Sequence, residues 1–177
     1  MAKAGTHYER AFEEYMRGRG IAYVGVDQAK KAIFSGVRIK SFDFIIYPRQ
    51  GRKILADVKG RKFPYQSYQQ GRWGESWTTG ADVEGLSRWE EVFGGDYRAV
   101  FVFAYWLCGK DEDSGGEQLE LFDDVYQFEQ RDYVFVAADL STYRQRIRRR
   151  SASWKTVYVP QRLFRQMVQP FDEFIRG

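Results

Sequence analysis

Two apolar runs, Ser41–Tyr47 and Lys53–Lys59, flank the connector Pro48-Arg49-Gln50-Gly51-Arg52, and each is broken by a single aspartate. Pro and Gly in the connector mark a turn, so the runs read as the strands of a β-hairpin. With the hairpin symmetric about Gln50, Tyr47 faces Lys53, Ile45 faces Leu55 and Asp43 faces Asp57. Directly opposed residues hold their Cβ atoms about 4.5–5.5 Å apart, and like charges there are destabilising. Both acids interrupt apolar strands, where an unpaired buried carboxylate costs several kcal/mol. Something positive is required. Lys59 projects from the same face as Asp57, two residues on, and a divalent cation between the carboxylates would remove the remaining repulsion. Oxygen ligands without His or Cys favour Mg²⁺ or Mn²⁺ over Zn²⁺. The other reading stays open: Asp57 and Lys59 form a surface ion pair on an edge strand, and a register slip of one residue parts the two aspartates.

Composition narrows the field. The chain has 177 residues, of which 44% are apolar and 29% charged, so it is expected to form one globular domain over residues 1–177 and not a disordered or collagen-like chain. The one cysteine, Cys108, and one histidine, His7, exclude an internal disulfide and the usual zinc ligand sets. Residues 1–5 hold no apolar run of the signal-peptide kind, and the longest apolar stretch, Ala99–Cys108, is too short to span a bilayer. A cytoplasmic protein with no membrane partner is expected. Charge is uneven: residues 1–72 carry 15 Lys and Arg against 6 Asp and Glu, residues 141–177 carry 9 against 2, and the middle is acidic. Basic ends around an acidic centre suit either a phosphate-binding face or a solvated one.

Along the chain, Tyr8, Ala11, Phe12, Tyr15 and Met16 recur at helical spacing, predicting a helix over Thr6–Arg19 that Gly18 and Gly20 end. A strand over Ile21–Val26 follows, then one or two helical turns within Asp27–Phe34. After the hairpin, Arg61–Gly80 reads as an aromatic-studded loop, Asp82–Phe93 as a helix, and Ala99–Leu107 as a strand from the middle of a sheet. Residues 110–124 form an acidic loop without Ca²⁺-loop spacing. Val125–Ala137 reads as two strands turning near Gln130, Ser141–Arg150 as a basic helix, Thr156–Val159 as a strand and Gln161–Val168 as a last helix. The sum is an α/β domain with a mixed sheet.

The hairpin resembles the PD-(D/E)xK nuclease superfamily, with Asp43 as the first acid and Asp57-Val58-Lys59 as the (D/E)xK element. Phe42 stands where the motif has proline, and the second acid is Asp where Glu is commoner. Gly5-Thr6-His7-Tyr8-Glu9-Arg10, opening a helix that ends at Arg19-Gly20 before a strand, resembles the N-terminus of archaeal Holliday-junction resolvases, and the resemblance covers residues 5–62. His7-Tyr8-Glu9-Arg10-Ala11-Phe12-Glu13 is also similar to the signature of a bacterial family named HYExAFE. The superfamily resemblance implies a restriction-endonuclease-like fold, a mixed β-sheet flanked by helices. It also implies a Mg²⁺-dependent (or Mn²⁺-dependent) endonuclease that hydrolyses phosphodiester bonds of DNA, structure-selective on junctions or branches, leaving 5′-phosphates and working as a homodimer.

In such a site Asp43 and Asp57 hold the metal with the Val58 carbonyl, Glu9 holds water or a second ion, and Lys59 orients the attacking water. Glu9 has another reading, because Thr6-His7-Tyr8-Glu9 is a capping box; Glu13, one turn on, is its rival. Arg61, Lys62, Arg72, Lys30, Lys31, Arg38 and Lys40 are candidate phosphate contacts, and Arg144, Arg146, Arg148, Arg149 and Arg150 form a second basic cluster. Tyr65, Tyr68, Trp73 and Trp77 either stack on unpaired bases or pack in the core. A catalytically inactive nucleic-acid-binding module and a small interaction protein with structural hairpin acids are the competing functions.

Overall fold

The computed structural model describes residues 6–27, 32–34, 37–109 and 124–177. Lys30, Lys31 and the acidic loop up to residue 123 lie outside the described residues. In chain order the elements are α1 (His7–Gly18), β1 (Ala22–Gly25), β2 (Ala32–Phe34), β3 (Val37–Ile39), β4 (Phe44–Tyr47) and β5 (Lys53–Pro64). Then come α2 (Tyr65–Gln69), β6 (Thr78–Thr79), α3 (Gly80–Phe93), β7 (Tyr97–Cys108), β8 (Tyr126–Phe128) and β9 (Arg131–Asp139). The chain closes with α4 (Leu140–Arg146), β10 (Arg148–Ser151), β11 (Thr156–Tyr158), α5 (Gln161–Met167), β12 (Gln169–Pro170) and α6 (Phe171–Arg176).

The main sheet has the order β1-β4-β5-β7-β9-β12, with β8 also on β9. Only β5 and β7 run parallel in it; the rest is antiparallel. The expected mixed sheet is present, with the Ala99–Leu107 run at its centre. Alternation along β7 divides the core. Phe101, Phe103 and Tyr105 face α3 and α4, whereas Val100, Val102 and Ala104 face α1 and α6. Helix α1 buries Ala11, Phe12, Tyr15 and Met16 on that second side, the stripe that its sequence spacing anticipates.

The hairpin adopts the register symmetric about Gln50: Ile45 pairs Leu55, Phe44 pairs Ala56 and Ile46 pairs Ile54. Several elements differ from expectation. Residues 32–34 are a strand paired with β3 where helical turns were expected, consistent with the β-branched Ile33, Val37 and Ile39. Strand β5 runs five residues past Lys59, and α2 follows it, where a loop was expected. The partner explains this, because β7 offers an unbroken parallel ladder from Lys53↔Tyr97 to Pro64↔Cys108. The basic helix expected over 141–150 stops at Arg146, since only Leu140 and Tyr143 are buried in it; Arg148–Ser151 then pairs β11 as a strand. A short C-terminal helix, α6, buries Phe171 and Phe174.

Gly60, on β5, allows α1 to lie close against the sheet. A Cβ built there would overlap the Tyr8 ring, so α1, and Glu9 with it, keeps its distance only while residue 60 has no side chain. Gly60→Ala is expected to destabilise the fold by about 1–3 kcal/mol, the cost of overpacking, read as a lower urea midpoint at unchanged m-value.

Candidate active site

Strand β5 carries the acidic motif past the end of its neighbour. Ala56 is the last β5 residue paired to β4, and Asp43 lies just before β4, its N–H donating to Ala56 O at 3.0 Å. One oxygen of the Asp43 carboxylate accepts the Val58 N–H at 2.6 Å. Because N–H and C=O of one strand residue point the same way, the Val58 carbonyl is directed to the same side. Asp43 and Asp57 are both 7% exposed, and the charge of each bears on the other. Burial first, and the neighbouring Asp57 charge second, push the Asp43 carboxyl up to about 8. Burial also raises Asp57, with Lys59 opposing.

Lys59 lies on the same side of β5 as Asp57. Its ammonium is 2.9 Å from Asp57 Oδ2 and 3.2 Å from Asp82 Oδ2. Burial works against this charge, but the two carboxylates outweigh it and hold Lys59 above the ordinary lysine value. Asp82 is 5% exposed and accepts from the Thr78 and Thr79 hydroxyls at 2.9 and 2.7 Å and from the Thr79 N–H at 3.2 Å. It also pairs with Lys40. Although burial disfavours its charge, these donors and cations hold it well below the usual carboxylate range. Sequence reading missed Asp82 as a site residue. Its local signal is a capping box, since Thr79 caps α3 and Asp82 is the third helical residue; its approach to Lys59 comes only from packing α3 on β5.

These groups line one open cavity of about 450 Å³ whose walls include Glu9, Arg38, Lys40, Asp43, Asp57 and Asp82. Glu9 enters from the α1 side. Its carboxylate accepts from the Thr6 N–H and hydroxyl, both at 3.2 Å, so the capping box forms and the residue also borders the cavity. Glu13 is not among the lining residues; it accepts from Tyr23 Oη at 2.9 Å. His7 pairs Nδ1 with Tyr133 Oη at 2.8 Å, and burial lowers its pKa.

The basic candidates scatter. Arg38 and Lys40 reach the cavity. Arg61 donates to Gly60 O and Trp77 O and stacks 3.7 Å from the Trp77 centroid. Lys62 is exposed and lies 5.6 Å from the Trp106 centroid. Arg72 and Arg149 are exposed, and Arg146 donates to Leu163 O at 3.3 Å. Tyr65 and Tyr68 are buried in the core, whereas Trp73 and Trp77 line a second cavity.

Among the described residues, no three His, Cys, Asp or Glu side chains converge as a metal-ligand set. The donors that do meet, two carboxylates and a strand carbonyl, suit Mg²⁺ or Mn²⁺, because Mg²⁺ is commonly held by one or two carboxylates and retains several waters.

No family model matches the chain, and no curated protein matches it. Among solved structures it is similar to the 1.6 Å structure of Hjc, a Holliday junction resolvase from the archaeal hyperthermophile Archaeoglobus fulgidus. The TM-score is 0.55 and the identity 13%, over 97% of this chain and 99% of that one. The fold is therefore the restriction-endonuclease-like fold of such resolvases, a mixed sheet flanked by helices.

Proposed function

We infer that the chain is a metal-dependent nuclease that hydrolyses phosphodiester bonds of DNA. One observation carries this reading: Asp43 and Asp57 are both buried at the wall of one open cavity, with the Lys59 ammonium 2.9 Å from Asp57. Asp43, Asp57 and the Val58 carbonyl would hold Mg²⁺ or Mn²⁺, which supplies a Lewis acid for the phosphate and neutralises its charge. Lys59, fixed by Asp82, directs an attacking water and offsets charge developing on the phosphate oxygens. Arg38 and Lys40 give the cavity mouth positive charge for the DNA backbone. Glu9, on the far wall, can accept a hydrogen bond from water once it leaves Thr6. The likeness to a Holliday junction resolvase supports four-way junctions as the first substrate to offer, and a second copy of the chain would match such a two-fold substrate.

Cleavage of labelled four-way junction, flap, duplex and single-stranded DNA with Mg²⁺, Mn²⁺ or EDTA tests the reading. Cutting should require the metal, and Asp57→Ala and Lys59→Ala should each lower it by about 10²-fold or more, with DNA binding in EDTA changed by less than about threefold. Folded wild type that binds DNA but cuts no substrate would point instead to a catalytically inactive binding module.

The carboxyl pair also sets a pH dependence. Asp43 titrates near 8 when folded and near 3.9 when unfolded, so folding takes up a proton between those values and metal-free stability from this group falls as pH rises through them. Asp43→Asn removes that penalty while keeping an acceptor for the Val58 N–H. In EDTA the variant should match wild type most closely near pH 4 and gain on it progressively up to pH 8, with about 2–4 °C in Tm for each kcal/mol. Saturating Mn²⁺ at pH 8 should raise the wild-type Tm and leave the variant's nearly unchanged.

A further inference from the structure

A second cavity, of about 500 Å³, is lined by Trp73, Trp77, Arg149, Arg150, Tyr158 and Gln161 among others. Its size suits a nucleotide-sized ligand, and its composition is particular. Two indole rings and a phenol ring provide flat apolar walls. Consecutive residues of a strand normally point to opposite faces, yet Arg149 and Arg150 both border this cavity. The cause is a register shift in the β10–β11 pairing, where Arg149 pairs Val157 and Ser151 pairs Thr156, leaving Arg150 as the extra residue. The bulge turns a basic strand into a two-arginine rim.

The walls are braced. Trp77 Nε1 donates to Glu75 Oε2 at 2.8 Å, and the half-buried Arg61 stacks on the ring. Arg150 is exposed, with its guanidinium 5.1 Å from the Trp77 centroid, so it can exchange the ring for a phosphate. Ser76 ties this wall to the residue after β11, donating to Val159 O at 2.7 Å and accepting the Val159 N–H at 3.2 Å. Glu75 and Gln161 offer hydrogen-bonding groups for a base edge, and the exposed Arg165 lies 5.9 Å from the Trp73 centroid. Trp77 immediately precedes Thr78, whose hydroxyl donates to Asp82, and Arg61 lies two residues beyond Lys59. The cavity is thus joined to the carboxylate site through both neighbouring segments.

We propose that this cavity binds an unpaired nucleotide of DNA, its base stacked on Trp77 and its phosphate held by Arg149 and Arg150. The proposal rests on the nuclease reading and deepens it: the substrate has an unpaired nucleotide at or near the scissile bond, as a branch or a single-stranded end does. Stacking suits any base because each has a π-face, and arginines hold the backbone without reading sequence. A continuous duplex keeps its bases stacked internally and offers nothing to the Trp77 indole.

The probe is a single strand of about 15 nucleotides carrying 2-aminopurine, compared with the same strand in full duplex, titrated with the protein in EDTA. Binding of the single strand should change the 2-aminopurine emission, and the duplex should not. The Arg149→Gln/Arg150→Gln double variant changes only exposed side chains; it should weaken single-strand binding at least about tenfold and reduce the slope of log Kd against log salt by about 1.4. Trp77→Phe, which keeps a ring, should retain the emission change, and Trp77→Ala should lose it. An unchanged single-strand affinity in the double variant, or equal emission changes from strand and duplex, would overturn the proposal. Metal-dependent cutting by wild type together with either of those results would remove this subsite and leave the nuclease reading standing. The expected binding results from a protein that cuts nothing would support the subsite and remove the nuclease reading.

Discussion

The Lys59 ammonium, with a side chain only 13% exposed, is held between carboxylates from two layers of the molecule, Asp57 on the sheet and Asp82 at the start of α3. Neither acid nor lysine is cheap to bury alone, and removing one partner from such an arrangement leaves an uncompensated charge. The middle of β5, strand β6 and the start of α3 are therefore tied to one another electrostatically, with Thr78 and Thr79 completing the acceptor demands of Asp82. Asp43 joins this group from the strand alongside, its carboxylate accepting the Val58 N–H at 2.6 Å.

Much of this was legible in the sequence where the signal is local. A Pro-Gly connector of five residues centred the hairpin, and the mirror positions of Asp43 and Asp57 followed from counting. The capping box at Thr6 and the stripe from Tyr8 to Met16 placed α1 to within a residue. Asp82 escaped because its role depends on a partner twenty-three residues upstream in another element; its own neighbourhood announces only a helix cap. The strand from Arg61 to Pro64 escaped for the same reason, since its partner is β7 and its composition is polar and aromatic. Arg148–Arg150 shows the reverse error: a run of arginines is compatible with a helix, but no apolar stripe anchors one there, and pairing with β11 decides the outcome.

Glu9 illustrates how one residue serves two layers of explanation. Its capping hydrogen bonds with Thr6 are local, whereas its position at the cavity depends on Gly60 admitting α1 against the sheet. Arg61 is comparable. Sequence position suggests a phosphate contact following the acidic motif, yet its guanidinium is occupied by the carbonyls of Gly60 and Trp77 and by the Trp77 ring. It acts as a brace between the carboxylate site and the tryptophan cavity.

The parallel ladder of β5 and β7 joins residues forty-four positions apart along its whole length, and Asp57 and Lys59 sit within it. Pairings at that separation must close a long loop before any contact is gained. During synthesis the acids therefore emerge well before the strand that aligns them, and α3, which supplies Asp82, lies in the intervening connection. A nascent chain ending before Cys108 has all four charged groups of the site but lacks part of the ladder that holds them together. The capacity to gather them arises in step with completion of the central sheet.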